Sequence, residues 1–301
     1  MEETEAATGR ISRLRARVLE GVEWVMTTAW RPVVIGRAAY ERDRDIGGGL
    51  LAGAIAFRFF VWIAAFSVVV VALLGFVADS GGDPAQALAD GGVTAIAASE
   101  VASAAADVRD GRWLLLLGGL YALFSTSRTM ARALWTTSAI AWRQPVTRSP
   151  TVKGALAYNA VMFATLGTIA GAGRLRDATP GPGLVITMAA VVVFVGIAWV
   201  ALQWLPGPGA SPRELLPGAV LLAVGLHVMH LVATLYLPGR LERASDTYGT
   251  LGTAIVLLLW LYLMGRLLVA GGVLNAVMHE LGQAEEPPGA DAGPAAPDNR
   301  G

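Results

Sequence analysis

Residues 245–280 read SDTYGTLGTAIVLLLWLYLMGRLLVAGGVLNAVMHE. The stretch opens polar at Asp246 and Tyr248 and closes polar at Asn275, His279 and Glu280. Between these ends, 251–274 carries one charge, Arg266. At ~1.5 Å per residue this run makes ~36 Å of helix, enough to cross a ~30 Å hydrocarbon core with some tilt. An apolar run of this length reads as a membrane span and not as the core helix of a soluble domain.

The rest of the chain agrees. Hydrophobic residues make up 54% of the 301 and charged residues 15%, too apolar for an average soluble domain. Formal charge is zero, so bulk charge selects no partner. There is no cysteine, which excludes disulfides, thiolate catalysis, iron–sulfur ligation and Cys-bearing zinc sites. The first twenty residues lack the apolar core and cleavage site of a signal peptide, and the N-terminus is expected to be retained.

Taken in order, residues 1–45 form an arm. Ile11, Leu14, Val18, Val22, Val25 and Met26 recur at helical spacing, with Arg10, Arg13 and Arg17 off that stripe. This predicts an amphipathic helix lying in the membrane interface or against the ends of the spans. Six spans follow within 46–280, at about 50–76, 113–134, 152–173, 183–205, 215–237 and 251–274, bounded by Gly and Pro clusters such as Gly47-Gly48-Gly49, Pro206-Gly207-Pro208 and Pro238-Gly239. An Ala-rich helix outside the membrane is expected between the first two. Residues 281–301 are rich in Pro, Gly and Ala and are expected to be disordered. The predicted fold class is therefore all-α: a polytopic membrane protein with six transmembrane helices, an N-terminal amphipathic interfacial helix and a disordered C-terminal tail.

Most of the 23 basic residues fall on the side that holds the N-terminal arm, Arg143, Arg148, Lys153, Arg213 and Arg300. The other side receives Arg109, Arg112, Arg174, Arg176, Arg240 and Arg243. The positive-inside rule then puts both termini in the cytoplasm, in a bacterial-type plasma membrane.

Several short stretches resemble the YihY / virulence factor BrkB family of inner-membrane proteins, which long carried a ribonuclease BN label. They are Asp246-x-Tyr248-Gly249-x-Leu251-Gly252, Trp260-x-Tyr262, Leu274-Asn275-Ala276, Leu123-Phe124-Ser125-x-Ser127-Arg128, and 51–57, LAGAIAF. The resemblance runs from about residue 46 to 280 and implies a multi-pass membrane protein. Two places depart from the family pattern. Val273 stands where the family often has an acid, and Arg58-Phe59-Phe60-Val61-Trp62 replaces a stretch usually carrying tyrosines and a proline. A role tied to that acid does not carry over.

The residues themselves do not support a nuclease. Hydrolysis of phosphodiesters needs clustered metal ligands or a His/acid pair on the phosphate. The chain has three histidines, no H-x-H-x-D or H-E-x-x-H pattern and no phosphate-cradling P-loop. No cofactor, metal site or nucleic-acid partner is expected. His227 and His230 are three apart on the fifth span and share a face, as a secondary polar site or as hydrogen-bonding partners of a neighbouring helix.

The sharper signal is cationic. Arg58 and Arg266 lie within spans whose sequences contain no carboxylate, and a central Arg costs ~2.5–3.5 kcal/mol on insertion scales. Counted from the span ends, both sit ~12 Å inside on the cytoplasmic side. Ser125, Arg128 and Arg132 form a stripe on the second span, and Asn159 falls in the same half of the third. The reading is a cationic cavity at the level of the inner leaflet, made of Arg58, Arg128, Arg132, Arg266, Ser125 and Asn159. It would bind, and translocate, an anionic amphiphile or lipid without enzymatic chemistry. The alternative is an envelope scaffold or assembly factor whose arginines hold structural lipid or the helices of a partner, a second copy or another membrane protein. The glycines of the last span, Gly249, Gly252, Gly265, Gly271 and Gly272, are read as surfaces for close helix approach.

Overall fold

A bilayer offers no water to backbone groups, so a spanning segment must pair them internally, and helices do so within one segment. The computed structural model describes residues 31–80, 83, 86, 111–146, 151–178, 183–207 and 209–285, and these are organised as helices. We number them α1 (Arg31–Asp45), α2 (Gly48–Asp79), α3 (Arg112–Ala141), α4 (Thr151–Ala178), α5 (Gly183–Gln203) and α6 (Leu216–Glu285), with a short 3-10 turn at Pro212–Leu215 before α6. The expected amphipathic helix at 11–26, most of the Ala-rich segment after the first span, and the tail beyond 285 lie outside the described residues.

α6 is helical over 70 residues, which as a straight rod would measure ~105 Å, several times a bilayer core. It is not straight. A Cβ built on Gly218 would meet Asn275, one on Gly225 would meet Leu267, and one on Gly271 would meet Leu222. Each pair is placed symmetrically about residues 246–247, so the segment reverses between Gly225 and Leu267 and its two ends run as antiparallel arms. The sequence reading ended the fifth span at Pro238-Gly239, but helix continues through both. A helical proline removes one N–H and bends the axis, while the turns on either side keep their own hydrogen bonds.

The two arms with α2 to α5 make six membrane crossings. Five of these segments are apolar enough to span on composition alone. The remaining one, α3, is 30 residues long and made more polar by Ser125-Thr126-Ser127-Arg128-Thr129 and Arg132. Neighbours in sequence are neighbours in space from α2 to α5, and α6 closes the ring against α5, α2 and α3.

Packing is uneven. α2 buries residues from Gly48 to Gly75 and α3 from Gly119 to Ala141. On the second arm Leu261, Val269, Val273, Ala276 and Val277 are buried. α4 buries Ala155 and Tyr158, the first arm buries Ala219, Leu222 and Ala223 near its start, and α5 buries no residue. The protein is thus a tight three-helix core of α2, α3 and the second arm, with α4, α5 and the first arm as a looser layer.

Glycine sets the closest approaches. A Cβ on Gly265 would lie 2.5 Å from the carbonyl oxygen of Ala52, so the second arm touches the backbone of α2 there. Gly271 fits against Leu222 in the same way. Gly272 is looser, with Ala141 at 4.0 Å.

Candidate functional site, the membrane arginines

The chain bends between α1 and α2 at Gly47, whose φ of 65° is a left-handed conformation that glycine adopts without a steric cost. This turn lays α1 against α2 and the second arm of α6. Two consecutive residues of α1 then reach in different directions. Arg42 is 5% exposed. It donates to the carbonyl of Ala141 at 2.9 Å, one of the unpaired carbonyls at the end of α3, and forms an ion pair with Glu280. Asp43 accepts two parallel bonds from Arg266, 3.0 Å from Nη1 to Oδ1 and 2.8 Å from Nη2 to Oδ2. Fork-to-fork pairing of this kind is the strongest arrangement a guanidinium makes with a carboxylate.

Arg266 is therefore neutralised within the protein. Its counter-charge comes from the arm before the first span, outside the segments where a carboxylate was sought. Its depth also differs from the expectation. Gly265 faces Ala52, six residues before Arg58 on α2, so the two arginines are ~9 Å apart in level. The Arg266 guanidinium reaches further, to within 3.0 Å of where a Cβ on Gly48 would be.

Arg58, Arg128 and Arg132 are different. All three are exposed on the bundle surface, and none has an ion-pair or hydrogen-bond partner among the described residues. Arg58 shares its face of α2 with Phe57, which is 63% exposed, and Val61. Ser125, Arg128 and Arg132 do form one exposed stripe on α3. α2 and α3 run antiparallel, with Val68 and Val69 at Gly119 and Trp62 at Ser127. Carried along both helices, that register sets Arg58 level with residues 129–131, between Arg128 and Arg132.

Asn159 does not join them. Its side-chain oxygen faces Ser127 Oγ at 3.1 Å and Trp62 Nε1 at 3.4 Å, and its amide donates to the carbonyl of Ala155 at 3.0 Å. Trp62 also donates to Ser127 Oγ at 3.0 Å, between stacked Phe59 and Phe66 and with Tyr158 edge-on. This is a buried polar lock between α2, α3 and α4. Neither a cavity of about 40 Å³ lined by Thr137, Ser138, Asn275 and apolar residues, nor a charged groove of about 250 Å³ beside Arg42, Arg143 and Glu280, includes the candidate arginines. His227 is half-buried and His230 exposed on the first arm. His279 binds Glu214 through Nδ1 and Gln283 through Nε2, and the Glu214 carboxylate also accepts from Ser211. The carboxylate lies between serine and histidine, so the Ser211 hydroxyl meets Glu214 and not the imidazole.

The sequence profile of the family described as virulence factor BrkB matches residues 39–296, which includes the Arg42 and Asp43 contacts and every span. The chain belongs to the virulence factor BrkB family. A curated relative, the ribonuclease-like protein YfkH of Bacillus subtilis (strain 168), is 36% identical over 75 residues, 25% of this chain and 27% of that one. The match thus spans about a quarter of the relative's length. No solved structure matches the chain.

In this BrkB-family protein, reading the sequence missed Asp43, Ser127, Trp62 and the Glu214–His279 pair. Ser127 stands in the quoted motif two residues from Ser125. Periodicity alone separates them, since Ser127 continues the buried row Leu123, Ser127, Met130 and Ser125 does not. Asp43 and Arg266 are 223 residues apart, and no local pattern links them.

Proposed function

We propose that this BrkB-family membrane protein binds an anionic amphiphile, a phospholipid or a lipid precursor, at the level of Arg58, Arg128 and Arg132, and carries it between leaflets without enzymatic chemistry. One observation carries the reading. The protein pairs the fourth arginine of its spans, Arg266, with Asp43, and leaves these three exposed and unpartnered among the described residues. An arginine beside lipid is costly unless something anionic reaches it. Lipid phosphate suits it, because the planar guanidinium donates two bonds to one phosphate and stays charged at any accessible pH. The positive-inside bias supports a plasma-membrane location with both termini, and this arginine level, toward the cytoplasm.

Native mass spectrometry of protein purified in mild detergent tests the reading. The wild type should retain phosphatidylglycerol in preference to phosphatidylcholine. Arg58→Ala/Arg128→Ala should lose that preference by about tenfold, the equivalent of ~1.4 kcal/mol. Lysine at position 58 should restore part of it, since the charge returns without the fork. Unchanged retention in a folded double variant would discard the lipid site and leave the scaffold reading. Movement between leaflets is read separately, by a lipid-flip assay in liposomes containing the purified protein.

A further inference from the structure

Asp43 meets Arg266 in the same two-pronged way that a lipid phosphate would. The carboxylate is delivered by α1, a helix outside the spans, and its position depends on two glycines. Gly47 supplies the left-handed turn. At Gly48 a Cβ would overlap Asp43 Oδ1 and lie 2.6 Å from Asp43 Cγ, so any larger residue would displace the pair. The pair is not sealed: the side chain of Arg266 is 35% exposed and that of Asp43 19%. The guanidinium is therefore within reach of an outside anion once Asp43 is withdrawn. Beside it, Arg42 fastens α1 to the end of α3 and to Glu280, so the same docking that these contacts hold also places the Asp43 carboxylate. By level along the bundle, the next cations after Arg266 are Arg132, Arg58 and Arg128, roughly 8 to 14 Å further.

We propose that Asp43 is an internal competitor for anionic lipid. It occupies Arg266 when α1 is docked, and its withdrawal turns Arg266 into the first phosphate contact below the three exposed arginines. The proposal rests on the lipid-binding reading above and adds to it a closed state and the residue that closes it.

The test uses the full-length protein with phosphatidylglycerol as probe. Asp43→Asn keeps the size and shape of the side chain and removes the charge, and should raise phosphatidylglycerol retention about three- to tenfold. Asp43→Asn/Arg266→Gln should return retention to the wild-type level. Arg266→Gln alone should change it little, because Asp43 already occupies that group. Arg42→Gln, which loosens α1 without touching the pair, should shift retention in the same direction as Asp43→Asn and serves if the latter does not fold. Retention that is unchanged or lower in both Asp43→Asn and Arg42→Gln overturns the competitor. If Arg58→Ala/Arg128→Ala still loses lipid in that event, the competitor alone has failed. If that variant also keeps its lipid, the binding reading has failed with it. A loss in Arg266→Gln as large as in Arg58→Ala/Arg128→Ala would equally overturn the proposal, since Arg266 would then be open in the wild type.

Discussion

Asn275 accepts the backbone N–H of Gly218 at 2.7 Å and donates to the carbonyl of Leu215 at 3.2 Å, tying the beginning of the first arm of α6 to the end of the second. The N–H groups in the first turn of a helix have no partner within it, and here a side chain 57 residues away supplies one. Asn275 is 1% exposed, so water cannot take its place. Asn275→Leu should destabilise the protein by about 1–3 kcal/mol, the cost of an unsatisfied buried amide. The shift is read from tryptophan fluorescence during thermal unfolding in detergent.

The glycines of the second arm are expected to separate by substitution. Gly265→Ala places a methyl 2.5 Å from the Ala52 carbonyl oxygen, a backbone atom that cannot turn away. It should cost about 1–3 kcal/mol, as overpacking does. Gly272→Ala meets only Ala141 at 4.0 Å and should fall within about 1 kcal/mol of the wild type. Equal unfolding temperatures for the two variants would contradict the close approach at Gly265.

Two serines in one motif should behave differently. Ser127→Ala removes a partner of both Trp62 and Asn159 and should cost about 1–3 kcal/mol. Ser125→Ala is exposed and should stay within about 0.5 kcal/mol. Near-ultraviolet circular dichroism should report the changed Trp62 environment in the first variant alone.

Topology can be checked against a background without cysteine. A cysteine at Tyr40, on the exposed face of α1, should be shielded from a membrane-impermeant thiol reagent in intact cells and labelled after lysis. A cysteine at Asp83, after α2, should be labelled in intact cells. The reverse pattern would invert the orientation, and labelling of both would rule out α2 as a crossing.

Nuclease chemistry is not expected. His279 is engaged on both ring nitrogens, by Glu214 and Gln283, and packs edge-on to Trp142. Purified protein should leave precursor tRNA intact with or without divalent metal. Cleavage that co-purifies with the protein and disappears in His279→Ala would reverse this reading.

By itself the sequence determined the solvent and the architecture. Spans such as 251–274 and Gly183–Gln203 are long and apolar, and a bilayer leaves such segments no low-energy form but a helix, so class and crossings follow from composition and length. The stripe Ser125, Arg128, Arg132 was legible for the same reason, because helical spacing is local. Tertiary structure decided which arginines have partners. Arg58 and Arg266 look alike in sequence, each a lone cation in an apolar run. They differ because a glycine turn brings Asp43 to one and nothing described to the other. Asn159 and Ser127 show the same limit: a polar residue in a span states that a hydrogen bond is needed, and only the packing of α2, α3 and α4 supplies the partner. The Asn159–Ser127 and Arg42–Glu280 contacts join residues 32 and 238 positions apart, so their cause is the path of the chain and not the pattern along it.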